Sequence, residues 1–457
     1  MRDLTKGPVA GHILQLSMFI GITMAFQTLY FLVDLYFVGR LGKEAIAGVG
    51  LAGNLTMVVL ALTQALGVGA TSLIAQAIGR KDRPHAERVF NQAFVLSSLV
   101  GVAYGLVAFA LRKIYSNALG ADEATASFGV QYLDWYVPAM ALQFGLVAMG
   151  SALRGLGDMK VPTVIQLGTV ITNIVLAPVL ILGWGTGTAL GVRGAALASF
   201  FAIVAGLVAF VFYFRRAASP LRFRVADWRP DLRLWKDILR IGLPAGGEFL
   251  LISVYVVVVY GIIRPFGAAA QAGFGIGVRL MQAMFLPSVA IGFASAPVAG
   301  QNFGARQGDR VRQTFYSAAA LSAVVMVVIT LLCHIAPAAM IGVFNDDAGV
   351  ILFGAEYLRI ISWNFLATGV IFVTSSVFQG MGNTLPPLMS STMRLALFAL
   401  PAVMLSRRPG FEMRHVWYLS VASVLAQLVA NVWLLHREFD RKLGPLQAAP
   451  IAAQPRG

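Results

Sequence analysis

Residues 152–162 read Ala-Leu-Arg-Gly-Leu-Gly-Asp-Met-Lys-Val-Pro, and the pattern of this stretch returns 225 positions later in the chain. Three pairs of positions carry the match: Gly155 with Gly380, Gly157 with Gly382, and Pro162 with Pro387. The same offset aligns the two halves without a gap from about residue 13 to residue 162. The matches include Gly, Gln, Pro and Tyr at loop positions, which a general likeness between apolar helices does not explain. The chain therefore contains an internal repeat.

The same stretch predicts a tight connection between two helices. Gly155 and Gly157 can take the left-handed geometry found at helix C-termini. Asp158 can cap the following helix, and Pro162 fits the first turn of that helix.

The composition predicts a membrane protein. Of the 457 residues, 58% are hydrophobic and only 12% are charged, whereas soluble proteins carry about 25% charged residues. Apolar runs of about twenty residues can cross the hydrocarbon core of a bilayer, and they must be helical because lipid offers no partner to an open sheet edge. We predict twelve spans, at residues 13–38, 47–78, 89–111, 130–153, 161–183, 194–214, 238–263, 272–302, 314–336, 353–379, 386–405 and 415–435.

The repeat and the spans together predict an all-α integral membrane protein with twelve transmembrane helices in two six-helix lobes. Six spans return the chain to its starting side, so the two lobes are parallel repeats related by an axis along the membrane normal. The predicted domains are an N-lobe at 1–214, a cytoplasmic loop at 215–237, a C-lobe at 238–435 and a disordered cytoplasmic tail at 436–457.

The net charge of +15 follows the positive-inside rule. If loops alternate between the two sides of the membrane, 23 of the 35 Lys and Arg residues fall on the side of the N-terminus and nine on the other. This imbalance predicts a multi-pass protein of the cell (inner) membrane with both termini in the cytoplasm, and it explains the basic charge without a nucleic-acid partner. Cys333 is the only cysteine, so no intramolecular disulfide can form.

Four carboxylates fall within the predicted spans. Asp134 and Glu356 lie near the start of theirs and count as segment ends, and the other two are Asp34 and Glu248. An ionised carboxylate at the centre of a membrane helix costs roughly 2.5–3.5 kcal/mol, so a function is expected for both. Gln27, Tyr30 and Asp34 are spaced i, i+3 and i+7, which places them on one helix face. A polar stripe facing lipid would be costly, so we expect this face to point inward.

Asp34 offers the minimum chemistry for exchange of a proton against a cation. When ionised, its carboxylate attracts a cationic substrate; when protonated, it has no charge to hold one. The alternative is a structural role in which Asp34 pairs with a neighbouring donor.

Four further polar or aromatic residues within the spans have two interpretations each. Glu248, four residues after Pro244, either acts in a cavity or sits in a wet vestibule near the cytoplasm. Asn173 either binds an ion or hydrogen-bonds neighbouring helices together. Trp363 either belongs to an aromatic wall for flat cations or simply packs. Arg394 can pair with a carboxylate or extend to the interface, and the sequence does not decide between these.

Several stretches resemble the multidrug and toxic compound extrusion (MATE) family. The matching stretches are Asp34-Leu-Tyr-Phe-Val-Gly39, Ala75-Gln-Ala-Ile-Gly79, Leu153-Arg-Gly-Leu-Gly-Asp158, Gly191-Val-Arg-Gly-Ala-Ala-Leu-Ala-Ser199 and Gly300-Gln-Asn-Phe-Gly304. The resemblance covers residues 10–435 approximately. It implies two six-helix lobes around a central cavity and export of bulky, often cationic compounds in exchange for protons or sodium.

The resemblance also implies roles for particular residues. An Asp late in the first helix couples to the cation in this family, and Asp34 matches it. Asn173 and Ser199 match residues of the same cation site, while Gln27 and Tyr30 match the lining of its chamber. The chain departs from the sodium-binding pattern at Ala177, where relatives often place Asp or Asn. This departure favours protons over sodium.

The sequence thus predicts a secondary antiporter that exports bulky, mostly cationic organic compounds by alternating access. It is not expected to be an enzyme, to need a cofactor, or to have partners beyond organic cations and membrane lipid, and a monomer is expected. The cation-coupling candidates are Asp34, Asn173 and Ser199, with a sodium site at Asp34 and Asn173 as the alternative to protons. The substrate-binding candidates are Gln27, Tyr30, Glu248 and Trp363. The alternative function is a flippase for a lipid-linked saccharide, whose cavity should be strongly basic.

Overall fold

A computed structural model describes residues 3–185, 187–216 and 220–448 of the protein. All regular elements in these residues are helical, which confirms the predicted all-α class. The α-helices are α1 (Val9–Gly39), α2 (Lys43–Gly50), α3 (Ala52–Gly79), α4 (Arg83–Leu119), α5 (Glu123–Gly155), α6 (Lys160–Leu182), α7 (Val192–Arg215), α8 (Leu232–Ile263), α9 (Gly267–Gly304), α10 (Gly308–Ile335), α11 (Pro337–Gly342), α12 (Ala348–Ile361), α13 (Asn364–Gly380), α14 (Leu385–Leu405) and α15 (Met413–Ala448). Two short 3-10 helices, Val225–Trp228 and Arg264–Phe266, lie between α7 and α8 and between α8 and α9.

The helices account for the twelve predicted spans. Ten stretches of the described chain are long and apolar enough to cross a membrane, and the bent pair α12–α13 is an eleventh. One of the ten, Leu232–Gly304, contains both α8 and α9, which a 3-10 turn separates. Two spans are broken: the second consists of α2 and α3, and the tenth bends by 54° between α12 and α13.

The internal repeat is visible in the backbone as well as in the sequence. Residues in the left-handed region occur in pairs 225 positions apart: Gly42 and Gly267, Lys81 and Arg306, and Gly157 and Gly382. The connection at 152–162 forms in part as predicted: Gly157 has a φ of 74°, and Asp158 Oδ1 accepts from the backbone N–H of Lys160 at 3.1 Å. Gly155 does not take the left-handed geometry predicted for it, because it is the last residue of α5. Each half of the chain therefore uses the same turns to reverse the direction of its helices.

Two compact units make up the described chain, and their boundaries fall inside helices. The first unit contains Phe19–Gly246, and the second contains Asp3–Met18 together with the chain from Gly247 onward. The predicted lobe boundaries, at 214 and 238, lie between spans instead. The structure thus assigns the first part of α1 to the second unit and the first part of α8 to the first unit.

The N-terminal segment belongs to the second unit because polar side chains there bind its backbone. The N–H of Leu4 donates to Gln301 Oε1 at 3.1 Å, and Asn302 Nδ2 donates to the Leu4 carbonyl at 3.2 Å. Arg310 donates to the carbonyl of Gly7 at 3.0 Å. Leu4 itself is fully buried.

The predicted loop at 215–237 is held in the same way, on α4 of the first unit. Asn91 Oδ1 accepts from the backbone N–H of Arg224 at 3.0 Å, and Gln92 Oε1 accepts from that of Asp231 at 3.0 Å. Both amide side chains are buried. The described residues of this loop are therefore part of the packed first unit and not a free linker.

The structure corrects the prediction of a disordered tail at 436–457. α15 continues to Ala448, so the first part of this segment is helical. Phe439 and Leu443 are buried, and Lys442 Nζ donates to the carbonyl of Met381 at 3.1 Å, which anchors this end of α15 to the second unit. The prediction for 449–457 concerns residues outside those described.

Close packing of α8 against α3 depends on a glycine. A Cβ added at Gly242 would lie 1.8 Å from the carbonyl oxygen of Ala65, whereas one added at Gly261, on the same helix, would meet no atom within 4 Å. We expect Gly242→Ala to destabilise the protein by about 1–3 kcal/mol, the usual cost of overpacking. Gly261→Ala is the matched control and should leave the thermal midpoint in detergent unchanged or slightly raised. Equal midpoints for the two variants would show that α8 does not approach α3 this closely.

Candidate functional site

The first unit contains a group of polar side chains that we name the acidic cluster: Tyr30, Asp34, Tyr132, Tyr136 and Ser199. The Tyr30 hydroxyl on α1 lies 2.6 Å from Ser199 Oγ on α7, so the structure brings together two residues that the sequence proposes for the site. Tyr30, Tyr132 and Tyr136 are close enough to Asp34 to interact with it electrostatically.

Asp34 lies one helical turn beyond Tyr30 on α1. Its Oδ1 atom is buried and has no hydrogen-bond partner among the described residues. The ion pairs of the described chain do not include Asp34. A purely structural role would need a donor to this carboxylate, and none is found among the residues that the structure describes. An unsatisfied buried polar atom costs about 1–3 kcal/mol, so this arrangement favours a proton or a cation as the partner of Asp34.

Asn173 is fully buried on α6, and neither polar atom of its amide has a hydrogen-bond partner among the described residues. An amide that joins two helices would be expected to show such a partner. Ala177, one turn later, is also fully buried and presents only a methyl group. No hydrogen bond joins Asn173 to Asp34 among the described residues.

The remaining sequence candidates lie outside the acidic cluster. Gln27 is exposed on α1, one turn before Tyr30. Glu248 lies on α8 in the second unit, where the hydroxyl of Ser375 on α13 interacts with its carboxyl group. Trp363 marks the bend between α12 and α13; it is 62% exposed and its ring meets that of His334 edge-on at 5.0 Å.

Sequence analysis missed the aromatic part of the acidic cluster. Tyr132 and Tyr136 stack with ring centroids 4.8 Å apart on α5, and the Tyr136 hydroxyl lies 2.8 Å from Thr56 Oγ1 on α3. The i, i+4 spacing of two Tyr in a membrane span could have indicated a polar face directed into the protein, since polar groups within spans usually face the protein interior.

Arg394 falls in a second group of polar side chains, in the second unit, which we name the basic cluster: Tyr255, Tyr357, Asn364, Arg394 and Ser420. The Arg394 guanidinium carbon lies over the ring of Tyr255, 5.4 Å from its centroid. The Tyr255 hydroxyl lies 3.1 Å from Ser420 Oγ, and Asn364 Nδ2 donates to the same oxygen at 3.4 Å. Neither of the two roles considered for Arg394 describes this arrangement, because the guanidinium stacks on an aromatic ring.

Comparison with known proteins identifies the family. The MatE family model matches residues 20–179 and 244–405, so it covers both repeats and most of the chain. Over 391 residues the chain is 27% identical to the probable multidrug resistance protein YoeA of Bacillus subtilis, covering 84% of each protein. It is 28% identical over 381 residues to the probable multidrug resistance protein NorM of Thermotoga maritima, covering 82% of this chain and 81% of that one.

The fold also matches a solved structure. An outward-facing multidrug resistance MATE transporter of the MOP superfamily superposes with a TM-score of 0.88 over 98% of both chains, at 24% identity. This likeness bears on the fold and agrees with the two-repeat, all-helical architecture. The chain therefore belongs to the MATE family, and it is a membrane transporter and not an enzyme.

Proposed function

We propose that this protein is a secondary antiporter that exports bulky, mostly cationic organic compounds in exchange for protons, with Asp34 as the coupling residue. The observation that carries the proposal is the Asp34 carboxyl group, which has a buried oxygen without a donor and no basic partner among the described residues. Two of the similar proteins, YoeA and NorM, are named for multidrug resistance.

The chemistry of coupling follows from a single charge. An ionised Asp34 attracts an organic cation, and the aromatic rings around it add a favourable surface for that cation. A proton on the same carboxylate removes the attraction and releases the cation. Each proton that enters down the membrane potential contributes roughly 2.3 kcal/mol per 100 mV, which can drive export against a gradient.

The surroundings of Asn173 support protons over sodium. Sodium is a hard cation, and hard cations in proteins are bound by several oxygen ligands. Ala177 supplies no side-chain oxygen one turn after Asn173, and the Tyr30 and Ser199 hydroxyls already bond to each other. We propose that Ser199 positions the proton site through its bond to Tyr30. Asn173 is proposed as a coupling residue of the same unit that does not complete a sodium cage.

The remaining features of the proposal come from the charge distribution and the family. We propose a multi-pass protein of the cell membrane with both termini in the cytoplasm, acting as a monomer by alternating access. A flippase for a lipid-linked saccharide is the other candidate, and its pyrophosphate would call for a strongly basic cavity. The unpaired carboxylate of Asp34 argues against that candidate.

Asp34→Asn should leave the protein folded and inserted but abolish export driven by a gradient, because the amide cannot take up and release a proton. Efflux of a fluorescent organic cation from proteoliposomes measures this, with proton and sodium gradients imposed separately. Glu356→Gln, which removes an exposed carboxylate on α12, is the matched control and should export normally.

Two outcomes of that experiment would count against the proposal. Normal export by Asp34→Asn would remove Asp34 from the mechanism. Export by the unaltered protein under a sodium gradient at constant pH, without a response to a proton gradient, would show that sodium is the coupling ion.

Glu248 is proposed to hold cationic substrate and not the coupling proton. In the repeat, Val259 takes the position of Asp34 in the second half, so Glu248 lies eleven residues earlier along its helix. That spacing is about 16 Å at 1.5 Å per residue.

Glu248→Gln should weaken equilibrium binding of the fluorescent cation by about tenfold, as expected for loss of an interaction with a charged group. The response of export to the proton gradient should persist in this variant. Ser375→Ala is a milder companion that keeps the carboxylate and removes its neighbouring hydroxyl. Normal binding combined with loss of the proton response in Glu248→Gln would reverse the roles of Glu248 and Asp34.

A further inference from the structure

We propose that the basic cluster of the second unit is an anion-binding site, centred on Arg394, that takes a carboxylate or phosphate group of an organic substrate. The proposal rests on the transport function proposed above and extends its substrate class from cations to compounds that also carry an acidic group. It is carried by the placement, partners and charge of Arg394, in three steps.

First, the two clusters occupy corresponding places in the two repeats. The offset of 225 relates Tyr30 to Tyr255 and Tyr132 to Tyr357. In each unit the first of these tyrosines bonds to a serine on the last long helix of its repeat. These partners are Ser199 on α7 and Ser420 on α15. If the same offset is continued beyond residue 162, Ser199 corresponds to residue 424, one helical turn after Ser420.

Second, the charges of the two clusters are opposite. The repeat places Val259, fully buried, where the first unit has Asp34. Conversely, it places Thr169 where the second unit has Arg394. The same tyrosine–serine framework therefore surrounds a carboxylate in one unit and a guanidinium in the other.

Third, no residue that the structure describes forms an ion pair with Arg394. The groups that interact with it electrostatically are the hydroxyls of Tyr255 and Tyr357, and Glu248 of the same unit has Ser375 as its neighbour. A guanidinium in the middle of a membrane helix is costly unless it meets an anion. The Arg394 side chain is only partly covered by the described residues.

The chemistry of the cluster selects an oxyanion. The Arg394 guanidinium carbon lies over the Tyr255 ring, and a guanidinium presents N–H groups that match carboxylates and phosphates in a bidentate arrangement. Trp417 adjoins the cluster, with its ring centroid 4.8 Å from that of Tyr357. Its indole N–H, which can only donate, is fully buried and has no hydrogen-bond partner among the described residues.

The test compares a rhodamine dye that has a free carboxylate with the methyl ester of the same dye. Equilibrium binding of both is measured by fluorescence polarisation with the purified full-length protein in a neutral detergent. Arg394→Gln should weaken binding of the free acid by about tenfold or more, while binding of the ester changes less than about twofold. Arg394→Lys should recover part of the affinity for the acid, since it restores charge without the bidentate edge.

Arg437→Gln is the matched control. Arg437 also lies over an aromatic ring of the second unit, Trp433, at 5.5 Å, but it is exposed. This variant should bind both dyes as the unaltered protein does. Equal weakening of acid and ester by Arg394→Gln, or no weakening of either, would overturn the anion site.

Competition experiments distinguish three possible ligands of the site: an acidic organic substrate, a lipid headgroup and free inorganic phosphate. If the site serves organic substrates, neither inorganic phosphate nor phosphatidylglycerol in mixed micelles should displace the free acid at concentrations comparable to that of the dye. Displacement by phosphatidylglycerol would make this a lipid headgroup site, and displacement by inorganic phosphate would make it a site for free anions; either result would overturn the substrate assignment. Export of the ester from proteoliposomes is measured in parallel, so failure of the transport function is distinguished from failure of the anion site.

Discussion

Helices in lipid must satisfy their own backbone hydrogen bonds, and this constraint decides how the polar side chains of the protein are used. Many hydroxyls within the spans donate to carbonyls of their own helix, as Thr63 does to Val59 at 2.7 Å and Thr374 to Val370 at 2.7 Å. These residues cost little and indicate little about function. Polar atoms without such a partner are few, and each is expensive to keep in a membrane. For this reason the unpaired groups of Asp34, Asn173 and Trp417 carry more weight than the total polarity of the spans.

The two repeats share one arrangement of helices and turns. The functional differences between them come from the few positions where their charged residues differ. Turns at Gly157 and Gly382 and at Lys81 and Arg306 have nearly the same φ values, so the helices are connected alike in both repeats. Within this common framework, a single change from an uncharged residue to a charged one alters what a cluster can attract. A carboxylate at Asp34 and a guanidinium at Arg394 therefore give related surroundings opposite preferences.

Much of the fold could be predicted from the sequence because the repeat and the apolar runs are long-range patterns that many residues support. The pairing of Tyr30 with Ser199 was also within reach, since it follows from one helix face and from resemblance to a family. The partner of Tyr255 could not be predicted in this way, because Ser420 lies one turn away from the position equivalent to Ser199 and no local pattern marks that shift. Arg394 could be recognised as unusual, but its stacking on Tyr255 depends on how α14 packs against α8.

The unit boundaries were missed for a different reason. They depend on contacts between side chains and distant backbone, such as Gln301 with Leu4 and Gln92 with Asp231, and hydropathy contains no information about such pairs. The length of α15 was underestimated because Pro, Ala and Gln near the C-terminus suggested disorder, while the anchoring residues Phe439 and Leu443 are isolated apolar positions in a charged segment. In both cases tertiary packing overrides the local pattern.

The division of α1 and α8 between the units ties the polar clusters to distant packing. Tyr30 and Asp34 follow Phe19 on α1, and Tyr255 follows Gly247 on α8, so each cluster takes residues from the later part of its helix. The earlier part of the same helix is held in the other unit, by Gln301 and its neighbours in one case and by the close approach of Gly242 to α3 in the other. Each cluster therefore belongs to one unit, while the anchored start of the same helix belongs to the other.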